Sequence, residues 1–449
     1  MNIVIAGAGS VGFHIASQMT DENKDVTLID RDPERARYAA NHLDCLVINE
    51  EVNNVDVLKK AGIAKADFFI SVTDSDEVNM IACGLVSSEF KVPTKIARVR
   101  NLDYSSSRIM EEAFLGINLI VNPEIEASRV ISQTVSFGAM SDVALFEKTD
   151  VQMRNLFIDN SSILKDKSLK EIKQTLNEEF LIAGITRRES VIIPSGNTTV
   201  QENDKLYIAA SQRNMEKVFA KTGKSTVPIR RVLIVGGGRI STLVARDLLR
   251  KGYNVKIIDQ NYEHCKHLSE ILPDALIINA DISDEGVFDE ERLFDNDLII
   301  SATANQELNI ISSIYAKSLG ISRAVAVVSK KNYLTIASEL GIDATVNPKS
   351  STADYIIKYI RGSNIESVHS IFDGKAEVIE ISIQDHSDLT DIAIKELQMP
   401  DNALIVSVTR NFKTIIPDGN FKLQSGDSVL VIANKKSITK TLKLFSQQK

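Results

Sequence analysis

The sequence predicts an α/β protein with two doubly wound parallel sheets in tandem, each followed by a small α+β domain. Three observations predict this architecture. Short apolar, β-branched runs alternate with helical patterns, which is typical of parallel sheets. Glycine clusters follow two of these runs, at residues 7–12 and 236–238. Matching segments also recur in the same order through both halves, which indicates a tandem duplication.

The duplication places the domains. Gly7 matches Gly236, Asp30 matches Asp259 at the same spacing, and Ile-Ile-Pro-x-Gly-Asn occurs at 192–197 and again at 415–420. We expect parallel-sheet domains at 1–137 and 229–364, and small α+β domains at 138–222 and 365–449. Glycine, serine and proline at 222–228 indicate a linker between the two halves.

The elements follow in chain order. The first domain is expected to form strands at 3–6, 26–30, 45–48, 68–72, 95–99 and 119–121. Asn122-Pro123 ends the last strand and begins a helix to about 137, because proline suits a first helical turn. The first small domain is expected to contain a helix at 169–176 and a strand at 205–209. The second half repeats this plan.

Composition excludes several classes of protein. The chain has 449 residues, 43% hydrophobic and 25% charged, which is typical of soluble globular proteins. It has no apolar run of about 18 residues and no secretory leader pattern. A net charge of −8 argues against nucleic-acid binding. Three scattered cysteines indicate reduced thiols in a cytoplasm rather than a disulfide framework.

The first glycine cluster fits the dinucleotide fingerprint G-x-G-x-x-G of a Rossmann-like domain. Gly7 permits the tight turn, Gly9 lets a pyrophosphate approach the main chain, and Gly12 lets helix and strand pack closely. The first helical turn presents free N–H groups to phosphates. Asp30 ends the next strand, where it can accept bonds from ribose hydroxyls and favours NAD(H) or an adenine nucleotide over NADP. The alternative is a glycine turn that only packs the βαβ unit.

Polar residues follow the fourth strand, where ligands bind in open α/β sheets. Thr73 is a candidate contact for ribose or phosphate, and Asp74 is a candidate to frame the site. For Asp76 and Glu77 we favour a helix start, because acidic side chains stabilise a helix N-terminus.

Two arginines stand at the end of the fifth strand. Alternate strand residues share a face, so Arg98 and Arg100 can both reach the cleft and meet phosphates. For Arg98, a phosphate contact and a surface ion pair remain equal alternatives.

The second glycine cluster differs from the first. It keeps the first two glycines of the fingerprint, whereas Ser241 replaces the third, so we expect strand and helix to lie slightly further apart there. Asp259 again ends the second strand, but Ala304 replaces Asp74 and Val327 replaces Arg98. The sequence therefore predicts a weaker or different nucleotide in the second pocket. An inherited fold without a ligand is the alternative.

Residues for catalysis are not apparent. His264 and His267 lie three apart on a helical pattern, but zinc normally takes three or four protein ligands, so a helix surface is favoured. His14 lies beside the first glycine loop, and a packed or solvated side chain is favoured there. The sequence contains neither G-x-S-x-G nor a Walker A motif. We expect no catalytic residues and no metal site.

The whole chain resembles the TrkA family, the cytoplasmic regulatory subunits of bacterial Trk potassium uptake systems. The resemblance is carried by residues 3–12, 73–77 with 79–80, 96–100 and 233–238. That family has tandem regulator-of-potassium-conductance (RCK) units, each a nucleotide-binding domain followed by a small domain. The resemblance implies a nucleotide site for each half. The first would use Gly7, Ala8, Gly9, Ser10, Val11, Gly12, Asp30, Thr73, Asp74 and Arg98, and the second Gly236, Gly237, Gly238, Arg239, Ile240, Asp259 and Thr303.

The resemblance also implies a function. Such subunits bind NAD(H) and ATP or ADP, and nucleotide state adjusts potassium flux through a membrane pore of the TrkH/TrkG type. They form a homo-oligomeric ring in the cytoplasm, peripherally associated with the inner face of the membrane, and are not enzymes. Two alternatives remain: an NAD-dependent oxidoreductase whose small domains shape a substrate site, and a scaffold with vestigial pockets.

Overall fold

The structure is a computed structural model with two compact units. The first joins residues 1–139 to 229–360, and the second joins 140–228 to 361–449. We call the parts of the first unit the first lobe (residues 1–136) and the second lobe (residues 229–360). The described residues are those of 1–449 other than 102–103, 105–113, 137, 139–143, 146–148, 150, 189, 224–228, 285, 362–364, 372–374, 386, 412, 435 and 446–449.

The first lobe is a six-stranded parallel sheet with helices on both faces. The strand order is β3-β2-β1-β4-β5-β6, so the order reverses between β1 and β4. The strands are β1 (Asn2–Ala6), β2 (Asp25–Ile29), β3 (Leu46–Ile48), β4 (Phe68–Ser71), β5 (Thr94–Arg98) and β6 (Leu119–Val121). The helices are α1 (Ser10–Asp21), α2 (Pro33–His42), α3 (Val55–Lys60), α4 (Asp76–Glu89) and α5 (Pro123–Ser136).

The first small domain, in the second unit, is a five-stranded antiparallel sheet in the order β10-β9-β11-β8-β7. Its strands are β7 (Ala144–Leu145), β8 (Val151–Phe157), β9 (Leu181–Arg187), β10 (Ser190–Ile192) and β11 (Lys205–Ser211). Its helices are α6 (Leu169–Leu176) and α7 (Gln212–Lys221). A capping box between Ser168 and Glu171 begins α6.

The second lobe repeats the first, with the parallel order β14-β13-β12-β15-β16-β17. Its strands are β12 (Arg231–Val235), β13 (Asn254–Asp259), β14 (Leu276–Asn279), β15 (Leu298–Ser301), β16 (Arg323–Val327) and β17 (Ala344–Val346). Its helices are α8 (Arg239–Arg250), α9 (Tyr262–Ile271), α10 (Val287–Glu290), α11 (Gln306–Ser318), α12 (Lys331–Glu339) and α13 (Pro348–Arg361).

The second small domain keeps the sheet plan, in the order β18-β19-β22-β20-β21. Its strands are β18 (Ile365–Ile371), β19 (Ala376–Ser382), β20 (Ala403–Arg410), β21 (Lys413–Ile415) and β22 (Ser428–Asn434), and its helix is α14 (Ile438–Phe445). One element differs from the expected repeat, because a short 3₁₀ turn at Ile394–Glu396 stands where the first small domain has α6.

The two lobes exchange their last helices. Ala127, Ile131 and Val135 of α5 lie in the apolar core of the second lobe, together with residues of β12 and β13. Reciprocally, Ile356 and Ile360 of α13 lie in the core of the first lobe against β1 and α1. Full burial of one isoleucine contributes roughly 1.5–3 kcal/mol, so each exchanged helix stabilises the sheet of the other lobe.

The fold class is confirmed, and most element predictions are accurate to one or two residues. The strand expected at 119–121 and the helix at 169–176 have those bounds. Asp30 follows β2 rather than ending it, and Arg100 lies beyond β5. The four domain boundaries remain predictions. Three of the boundary and linker predictions fall on residues outside the described ones, namely 137, 224–228 and 362–364. None of the described helices is both long and apolar enough to cross a bilayer.

Candidate functional site

The first glycine loop joins β1 to α1 at the carboxyl edge of the sheet. Gly7 has φ +104°, and a Cβ there would lie 3.0 Å from the main chain of Val72 and Thr73. A Cβ at Gly12 would lie 1.8 Å from the carbonyl oxygen of Gly7, so helix and loop are in direct contact. Only glycine fits at either position, as the fingerprint requires.

Gly9 faces open space. The nearest atom that a Cβ at Gly9 would meet is Arg35 Nη1, at 3.8 Å. Gly9 is also the N-cap of α1 and supplies no side-chain cap to the first turn of that helix. The first turn of α1 thus begins without a side-chain acceptor from its N-cap, beside a glycine that leaves open space.

The Asp30 side chain is hydrogen-bonded to the first glycine loop. Its carboxylate accepts hydrogen bonds from the Ala8 amide at 2.5 Å and from the Asp32 amide at 2.8 Å, and the residue is 8% exposed. The Nδ2 of Asn49 donates to the carbonyl oxygen of Asp30 at 2.8 Å. A carboxylate has about four acceptor positions, so capacity remains for ribose hydroxyls. The ribose contact itself stays a prediction.

Ser10 and Val11 contribute through their main chain. Ser10 is exposed as the first residue of α1, whereas the Val11 side chain is buried in the core of the first lobe. Their amides belong to the helix turn that faces the open side of Gly9.

Thr73 is held by a buried asparagine that sequence reasoning did not assign to the site. Asn79, on α4, is fully buried, and its Oδ1 accepts bonds from the Thr73 amide at 2.8 Å and the Thr73 hydroxyl at 2.7 Å. Its Nδ2 donates to the Thr73 carbonyl at 3.3 Å and to the Arg98 carbonyl at 2.8 Å. Asn79 thus fixes the turn after β4 to the end of β5. The recurrence of asparagine at 309 in the second half was an available signal.

Arg98 lies at this turn rather than in a surface ion pair. Its Nη1 donates to the Thr73 carbonyl at 3.0 Å, while its Nε is buried without a hydrogen-bond partner. Within the described part of the chain, no carboxylate lies within 4.0 Å of its guanidinium. Burial, followed by the neighbouring charge of Arg100, lowers the pKa of Arg98. The structure thus leaves the Nε of Arg98 without a partner beside the turn that follows β4.

Arg100 and two acidic residues complete the mouth. Nη2 of Arg100 donates to the Asp74 carbonyl at 2.6 Å, and the Arg100 amide donates to Asp76 Oδ2 at 2.9 Å. The exposed Asp74 carboxylate lies 3.8 Å from Arg31 Nη2. Asp76 begins α4, as the helix-start interpretation predicts. Glu77 accepts from the Ser75 hydroxyl, and this bond lowers the pKa of Glu77.

Arg35 is a second residue that sequence reasoning missed. It lies in the first turn of α2, is exposed, and its Nε is 3.5 Å from Asp32 Oδ2. Arg35 Nη1 is the nearest atom to the position of a Cβ at Gly9, so its positive charge lies beside this open space.

The second glycine loop repeats the main-chain geometry. Gly236 has φ +97°, the Gly237 amide donates to Asp259 Oδ2 at 2.5 Å, and a Cβ at Gly238 would meet nothing within 4 Å. The Asn309 side chain binds the Thr303 amide and hydroxyl, at 2.9 and 2.7 Å, as Asn79 binds Thr73. We call each glycine loop (residues 7–12 and 236–241) a cradle, and each threonine–asparagine pair (Thr73–Asn79 and Thr303–Asn309) its clamp. Both features are therefore present twice.

The surroundings of the second loop differ, as the sequence indicates. Ser241 is fully buried and its Oγ has no hydrogen-bond partner. Val327, in place of Arg98, is 7% exposed. His264 Nδ1 lies 3.6 Å from Asp259 Oδ1 on the first turn of α9. The second site thus lacks the guanidinium that stands at the mouth of the first.

The remaining two residues of the second loop point in different directions. Ile240 packs against the core of the second lobe. Arg239 is exposed, begins α8, and its Nη1 donates to the carbonyl oxygen of Arg100 in the first lobe at 3.2 Å. The second glycine loop is thereby hydrogen-bonded to the end of β5 in the first site.

Comparison with protein families finds two matching models, each of them twice. The model of the TrkA-N domain matches residues 3–123 and 232–348, and the model of the TrkA-C domain matches residues 154–223 and 378–446. Among curated relatives, the chain is 30% identical to the Trk system potassium uptake protein TrkA of Azorhizobium caulinodans, over 99% of this chain and 98% of that protein. It is also 30% identical to TrkA homolog 1 of Methanosarcina mazei, over 99% and 100%.

Solved structures share the fold. The GsuK channel bound to NAD is similar with a TM-score of 0.54 and 18% identity, over 99% of this chain and 79% of that one. The GsuK RCK domain is similar with a TM-score of 0.54, also at 18% identity, over 98% of this chain and 95% of that one. The duplicated plan of parallel-sheet lobe and small domain is therefore shared with RCK assemblies of known structure.

Proposed function

Because this chain belongs to the TrkA family of Trk potassium uptake proteins, we propose that it is the nucleotide-binding regulatory subunit of a Trk-type system. In this proposal it senses NAD(H) and ATP or ADP and is not an enzyme. The observation that carries the proposal is the open face of Gly9 at the uncapped N-terminus of α1, in the same loop whose Gly7 packs against Thr73.

The residues of the first site fit such a ligand. A Cβ at Gly9 would occupy the space that a pyrophosphate needs, and none is present. The amides at the start of α1 bind phosphate, Asp30 orients a ribose, and Arg98 meets a terminal phosphate with its free donors. A bound nucleotide supplies negative charge and ribose hydroxyls to the cleft. The chain supplies the fixed dipoles and charges that hold it.

The second site is proposed to bind a different or weaker nucleotide. It keeps Gly238, Asp259 and the Thr303–Asn309 clamp, but Ala304 and Val327 offer no charge to a terminal phosphate. A dinucleotide, whose second half is a ribose and an uncharged or singly charged ring, suits these surroundings better than a triphosphate.

The proposed partner is an integral-membrane potassium pore subunit of the TrkH/TrkG type. The regulatory chains would form a homo-oligomeric ring in the cytoplasm, held peripherally against the inner face of the membrane. A ligand can shift such a ring only through its different affinity for two arrangements of its domains. A coupling free energy of about 1–3 kcal/mol is typical and is sufficient to change flux severalfold.

Co-purification with the pore subunit, followed by potassium flux in vesicles, tests the proposal. Flux should respond to ATP, ADP, NAD or NADH in the wild type, and at least one response should disappear in Gly9→Val. A complex whose flux ignores all four nucleotides would contradict the regulatory role. Loss of NADH absorbance with candidate oxo-acid substrates, or a gain of NADH absorbance from NAD with hydroxy acids, would favour an oxidoreductase instead.

A further inference from the structure

Among the described residues, the hydrogen bond from Arg239 to the first lobe has no counterpart at the equivalent positions in the other direction. By the internal repeat, Arg239 corresponds to Ser10, and Arg100 corresponds to Ser329. The Ser329 carbonyl accepts from Asn347 Nδ2 at 3.3 Å, just as the Arg100 carbonyl accepts from Asn122 Nδ2 at 3.0 Å. Among the described residues, Ser10 makes no bond to Ser329. Among the described residues of these two glycine loops and strand ends, the hydrogen bond between the lobes therefore runs from the second glycine loop to the first site.

The acceptor of this bond belongs to the mouth of the first site. The Arg100 amide donates to Asp76, and its guanidinium donates to the Asp74 carbonyl. Asp74 directly follows Thr73, whose carbonyl accepts from Arg98. Holding the Arg100 carbonyl thus helps to hold the turn at 73–76 and the end of β5 together.

The donor of this bond belongs to the second site. Arg239 directly follows Gly238, the open glycine of the second cradle, and is the first residue of α8. A phosphate in that cradle would lie beside the first turn of α8 and so within reach of the long Arg239 side chain. A guanidinium binds phosphate with bidentate hydrogen bonds between two opposite charges, which it favours over a single bond to a neutral carbonyl.

We propose that Arg239 couples the two nucleotide sites negatively: a phosphate-bearing ligand in the second cradle draws Arg239 away from the Arg100 carbonyl and thereby weakens nucleotide binding at the first site. The proposal rests on the proposed nucleotide-binding function. Coupling requires two sites and two arrangements that the ligands favour differently. Here the two arrangements are Arg239 bound to the Arg100 carbonyl and Arg239 bound to a phosphate in the second cradle. By reciprocity, a ligand at the first site weakens binding at the second by the same factor.

Equilibrium titration of the full chain with NADH, and separately with ATP, tests the coupling. Gly238→Val closes the second cradle and reports first-site affinity with that cradle empty. In the wild type, first-site affinity with the second cradle filled should be at least about fivefold weaker than in Gly238→Val. Adding Arg239→Ala to both proteins should bring this ratio close to one. The control Arg246→Ala removes an exposed arginine on the same helix and should leave the ratio unchanged.

A second readout avoids any disturbance of the Gly238 loop. In Gly9→Val, ligand can enter only the second cradle. Its binding should speed hydrogen exchange at the Arg100 and Asn101 amides, which both donate to Asp76 at 2.9 Å. In Gly9→Val with Arg239→Ala, exchange there should be fast already and insensitive to ligand.

The outcomes separate this inference from the function on which it rests. If both cradles bind ligand, three results overturn the role of Arg239 alone. The affinity ratio between wild type and Gly238→Val is one, the ratio is unchanged by Arg239→Ala, or the coupling is positive. If neither cradle binds NADH or ATP, the nucleotide-binding function is overturned as well.

Discussion

Gly9 and Gly12 stand three residues apart in one loop and meet opposite surroundings. A Cβ at Gly12 collides with the Gly7 carbonyl at 1.8 Å, whereas a Cβ at Gly9 meets nothing closer than 3.8 Å. We therefore expect Gly12→Ala to lower the free energy of unfolding by about 1–3 kcal/mol or more, through overpacking. Gly9→Ala should change it by no more than about 1 kcal/mol, because Gly9 has an ordinary φ of −66° at an N-cap.

The Gly9→Ala variant should lose NADH affinity without losing stability. Gly9→Ala should weaken NADH binding at the first site at least about tenfold, or about 1.4 kcal/mol, although its stability is near that of the wild type. Denaturant unfolding and NADH titration measure the two effects. If Gly9→Ala bound NADH as the wild type does, the pyrophosphate would not lie on this loop.

Arg98 Nε has no hydrogen-bond partner beside the turn that follows β4, and we expect the contribution of Arg98 to binding to depend on the ligand. A terminal phosphate would accept charge-assisted bonds worth about 1.5–3 kcal/mol, whereas NAD has no terminal phosphate to accept them. Arg98→Ala should thus weaken ATP binding about tenfold or more and NAD binding less than about threefold, measured by isothermal titration calorimetry. Arg37→Ala, which removes an exposed charge from α2, is the matched control and should affect neither ligand. Equal losses for ATP and NAD would refute the phosphate contact.

Some site residues are predictable from sequence and others are not. Gly7, Gly9, Gly12 and Asp30 belong to a spaced motif in which each residue type has a separate physical reason. Asn79 was not assigned to the site, because one buried polar residue in an amphipathic helix has no periodic signal, and its five side-chain hydrogen bonds depend on how β4 and β5 lie beside α4.

At the scale of elements, the exchanged helices make the two halves of the first unit depend on each other. Ile356 belongs to the second half of the sequence but is fully buried in the core of the first lobe. Ile356→Ala should cost about 2–5 kcal/mol. It should speed hydrogen exchange in β1, more than 340 residues away in sequence at Asn2–Ala6, more than in β12 of the second lobe.

Tyr359→Ala provides the control for this effect. Tyr359 lies on the same helix but is 42% exposed, so its truncation should change stability little and exchange in β1 not at all. Faster exchange in β12 than in β1 for Ile356→Ala would show that α13 stabilises its own lobe rather than the other.

Strand and helix positions were predictable, whereas the partners of the helices were not. The runs at 3–6, 68–72 and 119–121 are short, apolar and bounded by turn residues, and all became strands of the parallel sheet. The apolar faces of α5 and α13 indicate only that each helix is buried. In a duplicated protein the two sheets offer nearly the same surface, so sequence periodicity does not say which sheet each helix covers.

For the whole molecule, duplication has produced two cradles that share their main-chain geometry but differ in the charged side chains around them. The main-chain features recur, including positive φ at Gly7 and Gly236 and the amide-to-carboxylate bond below each loop. Arg98 and Asp74 do not recur. A regulator that has to respond to more than one nucleotide needs this kind of difference, because two identical sites would report the same ligand twice.

Equilibrium dialysis of the full chain against NADH tests whether the two glycine loops bind nucleotide reversibly and leave it intact. We predict saturable binding, recovery of all the NADH unchanged after release, and loss of binding in the double variant Gly9→Val, Gly238→Val at preserved thermal stability. Binding that survives in this double variant would place the nucleotide away from the two loops, and NADH recovered in oxidised form in amounts exceeding the protein would show turnover.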